Sequence, residues 1–181
     1  HEFDERLLHC TFDELVNFVE IELAAANFRF DEEARNKYKA PFWSHGWFRI
    51  RTYRNIPAAM DYLEWAGNLK VDESWGVNPE DENYGEETYQ AKGAKEILAL
   101  YKWWKEVRPQ RGDPYEISGW TAWCERRRED SLLLFAEDKT EEERAKTTHL
   151  LEVLRKIEED YDKEDEEMLI RLIKIRKHLW T

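Results

Sequence analysis

Cysteine, glycine and proline are scarce in this chain, and each scarcity closes off a class of protein. Two cysteines cannot make a disulfide framework and point to a reducing compartment. Seven glycines and five prolines in 181 residues are too few for a loop-rich sandwich or a low-complexity chain. No apolar run exceeds the one from Leu132 to Ala136, whereas a membrane helix needs about 20 such residues. The N-terminal stretch is acidic and has no apolar run, so no secretory leader is expected. Also missing are a Cys-x-x-Cys, a paired-histidine motif, a Glu-x-x-His pair, a phosphate-binding glycine loop and a Gly-x-Ser-x-Gly elbow. No cofactor and no structural zinc are therefore expected. His9 adjoins Cys10, but nothing else supports a Cys–His nucleophile. Arg111-Gly112-Asp113 matches an adhesion tripeptide, as any three residues can by chance.

What the chain does have is charge and aromatics. Charged residues make up 38% and hydrophobic residues 41%, too apolar for a disordered acidic tail. The formal charge of -12 repels phosphate backbones, so nucleic acid is not the expected partner. The charges are segregated. Residues 35–56 carry six bases (Arg35, Lys37, Lys39, Arg49, Arg51 and Arg54) and no acid. Residues 71–87 carry seven acids and no base, and residues 158–167 hold eight acids among ten positions.

The periodicity predicts one mostly α-helical domain over residues 1–181, with about five helices. An aromatic-rich core over 1–139 is followed by a long C-terminal helix over 140–181. Leu8, Phe12, Leu15, Val19 and Leu23 form the first stripe, with Thr11 and Glu14 as a capping box at which the helix could start. Asn55 and Pro57 open a second helix running to about Lys70. A third runs from about Thr88 and stops at Pro109. Ser118 is the N-cap expected for a fourth helix bearing Trp120 and Trp123. The run from Leu132 to Ala136 fits either a buried strand or the tail of that helix. Trp65, Trp103, Trp104, Trp120 and Trp123 lie on stripes and are expected in the core, with Trp103 and Trp104 about 100° apart on their helix. Trp43, Trp47, Trp75 and Trp180 lie off any strong stripe and suit a partner surface.

The last helix has a capping box at Thr140 and Glu143, and a stripe from Leu150 to Leu179 interrupted at Asp165. Unbroken it extends about 60 Å, more than the breadth of a domain of this size. The expectation is a break near residues 160–165, or a projecting helix that forms a homodimer. Glu158, Asp162 and Asp165 share one face. With Glu20 and Glu22, or Asp61 and Glu64, they are the carboxylates a divalent metal would need, but a solvated face with no bound metal is the expectation.

The candidate binding surface is the irregular basic-aromatic segment, with Trp43, His45, Trp47, Arg49, Arg51 and Arg54. If residues 47–53 are extended, Trp47, Arg49, Arg51 and Tyr53 share one side. The competing use of these bases is to neutralise the acids of 71–87.

Two stretches carry a resemblance. One is Pro57-Ala58-Ala59-Met60-Asp61-Tyr62-Leu63-Glu64-Trp65. The other runs from Leu98-Ala99-Leu100-Tyr101-Lys102-Trp103-Trp104 through Val107-Arg108-Pro109, Asp113-Pro114-Tyr115 and Ser118-Gly119-Trp120 to Cys124. They resemble a group of small uncharacterised proteins of tailed bacteriophages. The resemblance brings no activity and no site residues. It implies a phage origin and action in the cytoplasm of an infected bacterium. The expected function is a non-enzymatic protein–protein interaction module that binds a host protein. The alternatives are a metal-dependent all-α nucleotide hydrolase and a self-associating virion or scaffold component.

Overall fold

The computed structural model describes residues 2–24, 32–38, 42–43, 45–46, 55–129 and 140–179. The fold is mostly α-helical and carries the long C-terminal helix that the periodicity implies. Among the described residues there is no strand, only an isolated antiparallel bridge between Lys70 and Glu87. Nor is any of their helices long and apolar enough to cross a membrane. The chain divides into two compact units. One is His1–Arg108 with Leu169–Thr181, and the other is Pro109–Met168. The run from Leu132 to Ala136 and the extended stretch at residues 47–53 lie outside the described residues.

In the first unit, helix α1 (Glu2–Asn17) buries Leu8, Phe12 and Leu15. It continues as a π-helical turn (Phe18–Leu23) that buries Phe18, Val19 and Leu23. The helix does not start at the capping-box pattern. Thr11 lies inside it, its Oγ1 shared between the carbonyls of Leu7 and Leu8 at 2.8 and 2.9 Å. Burying Leu8 is worth roughly 1.5–3 kcal/mol, whereas a cap contributes about 1 kcal/mol, so the helix extends upstream.

A short helix, α2 (Glu32–Lys37), precedes α3 (Ile56–Gly67). At the start of α3, Asn55 Oδ1 accepts from the Ala58 amide at 2.8 Å, with Pro57 in the first turn. Helix α3 packs on α4 (Tyr89–Lys102), and both contribute small buried residues. Ala58, Ala59 and Ala66 of α3 and Ala91 and Ala94 of α4 are all buried, and side chains this small let packed helices approach closely. Leu63, Ile97 and Leu100 are buried as well. Trp65 is not a core residue as its stripe implied. It is 40% exposed at the edge of this contact, where its ring meets Tyr62 at 5.8 Å. The buried row of α3 is Ala58, Ala59, Leu63, Ala66 and Gly67, and Trp65 lies at its margin.

The loop between α3 and α4 is closed at its base. Val71 N–H donates to the Glu86 carbonyl at 2.9 Å and Gly85 N–H to the Val71 carbonyl at 2.8 Å. Gly76 and Gly85 take positive φ of 74° and 81°, which their lack of a Cβ permits. The buried Thr88 then caps α4, its Oγ1 accepting from the Ala91 amide at 3.0 Å. The helical run ends around Pro109, as expected, but its last two turns are not α-helical. It widens into a π-helical segment (Trp103–Val107) and then tightens into a 3₁₀ turn (Arg108–Gln110).

The second unit holds α5 (Pro114–Ile117), α6 (Trp120–Glu129) and most of α7 (Glu141–Ile175). Asp113, not Ser118, opens the first of these, its Oδ1 accepting from the Tyr115 amide at 2.9 Å. Ser118 is buried and ends α5 rather than opening α6: its backbone is helical (φ -67°, ψ -18°), Gly119 at φ 77° separates it from Trp120, and its hydroxyl donates to the Tyr115 carbonyl at 3.2 Å and accepts from the Trp120 amide at 3.3 Å. Trp123 is half-buried, donates to Thr147 Oγ1 at 3.1 Å and lies under the Lys146 ammonium at 4.4 Å. The capping box of α7 is reciprocal: Glu143 N–H donates to Thr140 Oγ1, and Thr140 N–H to Glu143 Oε2, both at 3.2 Å.

Helix α7 is unbroken from Glu141 to Ile175, so the expected break near residues 160–165 does not occur. Asp165 replaces an apolar residue on the stripe because Arg111 reaches it. Arg111 Nη1 lies 2.7 Å from Asp165 Oδ1 and Nη2 lies 2.8 Å from Glu164 Oε2. The guanidinium sits 4.9 Å over the Tyr161 ring, and Tyr161 OH donates to the Gly112 carbonyl at 3.2 Å. Asp165 is therefore not the solvated charge expected of it: its side chain is 18% exposed.

Beyond residue 168, α7 belongs to the first unit, where Leu172 and Ile175 are buried. Arg171 grips Glu96 through Nε at 2.6 Å and Nη2 at 3.0 Å, and this pairing holds the Glu96 carboxyl below its ordinary pKa. The chain then makes a 3₁₀ turn (Arg176–His178), and the His178 ring lies against Gly93 and stacks on Tyr89 at 4.1 Å.

Two stability measurements test these contacts. A Cβ at residue 93 would overlap the His178 imidazole. Gly93→Ala is expected to cost about 1–3 kcal/mol in urea denaturation despite the better helix propensity of alanine. Adding His178→Ala should return most of the loss, and a double mutant no better than Gly93→Ala would contradict the contact. Asp165→Asn is expected to cost about 1–3 kcal/mol, while the exposed Asp162→Asn stays within about 0.5 kcal/mol. Equal effects would show that Arg111 does not select Asp165.

Candidate functional site

The candidate binding segment enters the structure through a polar clamp. The Lys37 ammonium lies 2.9 Å from both carboxylate oxygens of Asp61 on α3. The Tyr38 hydroxyl stands 2.7 Å from Asp61 Oδ2 and 3.0 Å from the Pro57 carbonyl. Burial first, and then Asp61, push the Tyr38 phenol above its ordinary pKa, while Asp61 raises that of Lys37. This clamp fixes the chain four residues before its exposed aromatics. Phe42 and Trp43 lie in a turn and are 88% and 76% exposed, and His45 is exposed as well. Of the proposed binding residues, Trp43 and His45 are thus brought to the surface close together in sequence. Trp47, Arg49, Arg51 and Arg54 lie outside the described residues. Phe42 was not singled out by sequence, although the Pro41-Phe42-Trp43 run carries the signal.

The loop acids expected to compete for these bases are exposed from Asp81 to Glu87. Glu87 is paired with Lys95, which lowers its pKa. Trp75, at 54% exposure, stands on the same loop and is not a core residue.

A second polar site was not legible in the sequence. The π-helical turns after α1 and α4 bring Glu20 against Tyr101 and Lys105, with Tyr101 OH donating at 2.8 Å and Lys105 Nζ at 3.0 Å to Glu20 Oε1. Beside it, Trp103 and Trp104 both contact Phe12, at ring separations of 5.1 and 4.8 Å. Neighbours 100° apart on an α-helix would diverge. The wider π turn narrows that angle and presents both indoles to one helix, so packing on two sides is not required. His9 meets Trp104 edge-on at 5.0 Å and Arg108 covers it at 4.9 Å. His9 is thereby engaged with an indole, while Cys10 is exposed.

Several of the carboxylates that a divalent metal would need are paired with cations. Glu20 is held by Lys105, Asp61 by Lys37 and Asp165 by Arg111. Among the described residues, no three His, Cys, Asp or Glu side chains converge. Protein-family models, characterised proteins and solved structures give no match to the chain.

Glu20 and Tyr101 give a pH signature. The hydrogen bond from Tyr101, then Lys105, holds Glu20 below its ordinary 4.5. Burial, then Glu20, pushes the Tyr101 phenol up to about 12 from 10.0. The Glu20 contribution is present above pH 4.5 and is lost as the pH falls through its depressed folded value. The Tyr101 contribution is present below pH 10.0 and is lost as the pH rises to about 12. Glu20→Gln is expected to flatten both limbs of a plot of denaturation midpoint against pH. Limbs as steep as the wild type's would contradict this.

Proposed function

We propose that this chain is a non-enzymatic protein-binding module whose docking surface is the basic-aromatic segment around Phe42, Trp43 and His45. The observation that carries the reading is the side-by-side exposure of Phe42 and Trp43, at 88% and 76%. Large aromatics bury about 150–250 Å² each when covered, and tryptophan is among the residues that dominate interface energies. In sequence, these rings lie within a stretch, residues 35–56, that carries six bases and no acid. A net charge of -12 favours a protein partner over a uniformly charged nucleic acid. In keeping with the resemblance to phage proteins, the partner is a bacterial protein and the place of action is the cytoplasm of the infected cell. The engagement of Glu20, Asp61 and Asp165 by cations supports this reading over a metal-dependent hydrolase.

The test begins with capture from bacterial lysate on the immobilised chain and continues with titration calorimetry on the purified captured protein. Phe42→Ala with Trp43→Ala is expected to weaken binding about 30-fold or more, as removal of a hot spot does. The same double mutant should keep its melting temperature, since both rings are exposed. Binding that survives this substitution unchanged would refute the assigned surface.

A further inference from the structure

Helix α1 and its π-helical continuation carry two seams at helical spacing, and the fold covers one of them. The inner seam is Leu8, Phe12, Leu15 and Val19, all buried. The outer seam runs Phe3, Leu7, Cys10, Glu14, Asn17 and Ile21, and all six are exposed. Its spacings alternate four and three, the heptad rhythm by which one helix offers a continuous edge to another. At about 100° per residue, this row stands on the side of the helix away from Phe12. Phe3, Leu7 and Ile21 are 74%, 41% and 63% exposed, and the small thiol of Cys10 sits among them. The charge around the row is of one sign. Residues 2–24 carry seven acids, and Arg6 is their single lysine or arginine. Glu20 is engaged by Tyr101 and Lys105, while Asp4, Glu5, Asp13, Glu14 and Glu22 are exposed.

We infer that the outer seam of α1 docks a basic amphipathic helix of a partner protein, seated on Phe3, Leu7 and Ile21 and selected by Glu14. Charge decides between the occupants. Glu14 lies within the seam beside Asp13, so a docked helix covers its carboxylate. A covered carboxylate needs a cation, and the partner therefore brings a lysine or arginine opposite it. A second copy of this chain does not supply one. Laid parallel, it sets Glu14 on Glu14. Laid antiparallel and centred on the seam, it brings both Asp13–Glu14 pairs to the middle, within about one helical turn of each other. Either way like charges meet where the contact is closest. An anionic lipid surface is repelled by the same acids. A basic helix instead lays its apolar stripe along the seam and its cations beside Glu14 and the flanking acids, the helix-on-helix mode of peptide recognition. One such contact buries less than about 1,200 Å², which makes it a transient interaction whose specificity rests on charge. The inference uses none of the residues of the Phe42–Trp43 segment and does not depend on their role.

The experiment titrates the full chain into trace amounts of two fluorescent synthetic peptides and follows anisotropy. Both are heptad helices with leucine along the seam; one has lysine at the flanking positions and the other glutamate. The lysine peptide is expected to bind and the glutamate peptide is not. Leu7→Glu with Ile21→Glu should weaken the lysine peptide at least about tenfold while leaving the circular dichroism spectrum intact. That substitution adds two negative charges, so attraction between net charges alone would strengthen binding instead. Asp13→Lys with Glu14→Lys should transfer binding to the glutamate peptide, an outcome that misfolding cannot mimic. A lysine peptide that does not bind overturns the proposal, and so does one that binds Leu7→Glu with Ile21→Glu undiminished. Sedimentation of the chain alone and with phosphatidylcholine vesicles tests the other occupants. A homodimer or a vesicle-bound form that is lost on Leu7→Glu with Ile21→Glu would assign the seam elsewhere and overturn the proposal as well.

Discussion

The contact of Phe12 with two neighbouring indoles is the constraint on which the first unit turns. Phe12 is fully buried, and Trp103 and Trp104 both lie within ring-contact distance of it. An α-helical α4 would offer one of those rings and send the other elsewhere. The helix gives up its regular hydrogen bonding over Trp103–Val107 to offer both. The continuation of α1 does the same over Phe18–Leu23, and Glu20 is carried by that widening to Tyr101 and Lys105. The irregular geometry, the aromatic cluster and the polar triad are thus one event seen in three chemistries.

Arginine does two kinds of work on the long helix. At Arg171 it closes a polar contact with Glu96 beside the buried Leu172 and Ile175. At Arg111 it replaces a missing apolar contact: its guanidinium covers Tyr161 and neutralises Glu164 and Asp165. The planar, five-donor fork suits both tasks, and a lysine would satisfy only one carboxylate at a time. The acidic run of residues 158–167 is therefore unevenly divided. Part is engaged inwardly by one arginine, and the rest faces outward.

The helical stripes of α1 and α7, the caps at Asn55 and Thr140, and the exposure of Trp43 and Trp75 were all legible in the sequence. Each depends on residues within a few positions of one another. What the sequence did not disclose depends on long separations. Asp165 reads as a defect in the stripe until Arg111, more than fifty positions earlier, is placed beside it. Trp65 reads as core because its row is apolar, yet the buried row of α3 is made of the smaller Ala58, Ala59, Leu63, Ala66 and Gly67. Glu20 reads as a candidate metal carboxylate and not as a partner of Tyr101 and Lys105, because the widening that aims it at them leaves no periodic mark. The capping-box pattern at Thr11 misled for the opposite reason: it is local and correct in type, but burial of Leu8 outweighs it. Of the candidate site, sequence chemistry identified Trp43 and His45, while the clamp of Lys37 and Tyr38 on Asp61 could only be seen in three dimensions.

The division of the chain bears on the order in which it can be made. The unit that begins at His1 is completed only by Leu169–Thr181, and the whole of Pro109–Met168 is synthesised in between. At roughly 5–20 residues per second, that interval lasts about 3–12 seconds. Throughout it, Gly93 waits for His178 and Glu96 for Arg171. Closing such a long loop is entropically slow to begin and is not rewarded until the last contacts form. The nascent chain therefore passes through a stage with the flank of α4 bare, and folding of the first unit is tied to the emergence of its most distant segment from the ribosome.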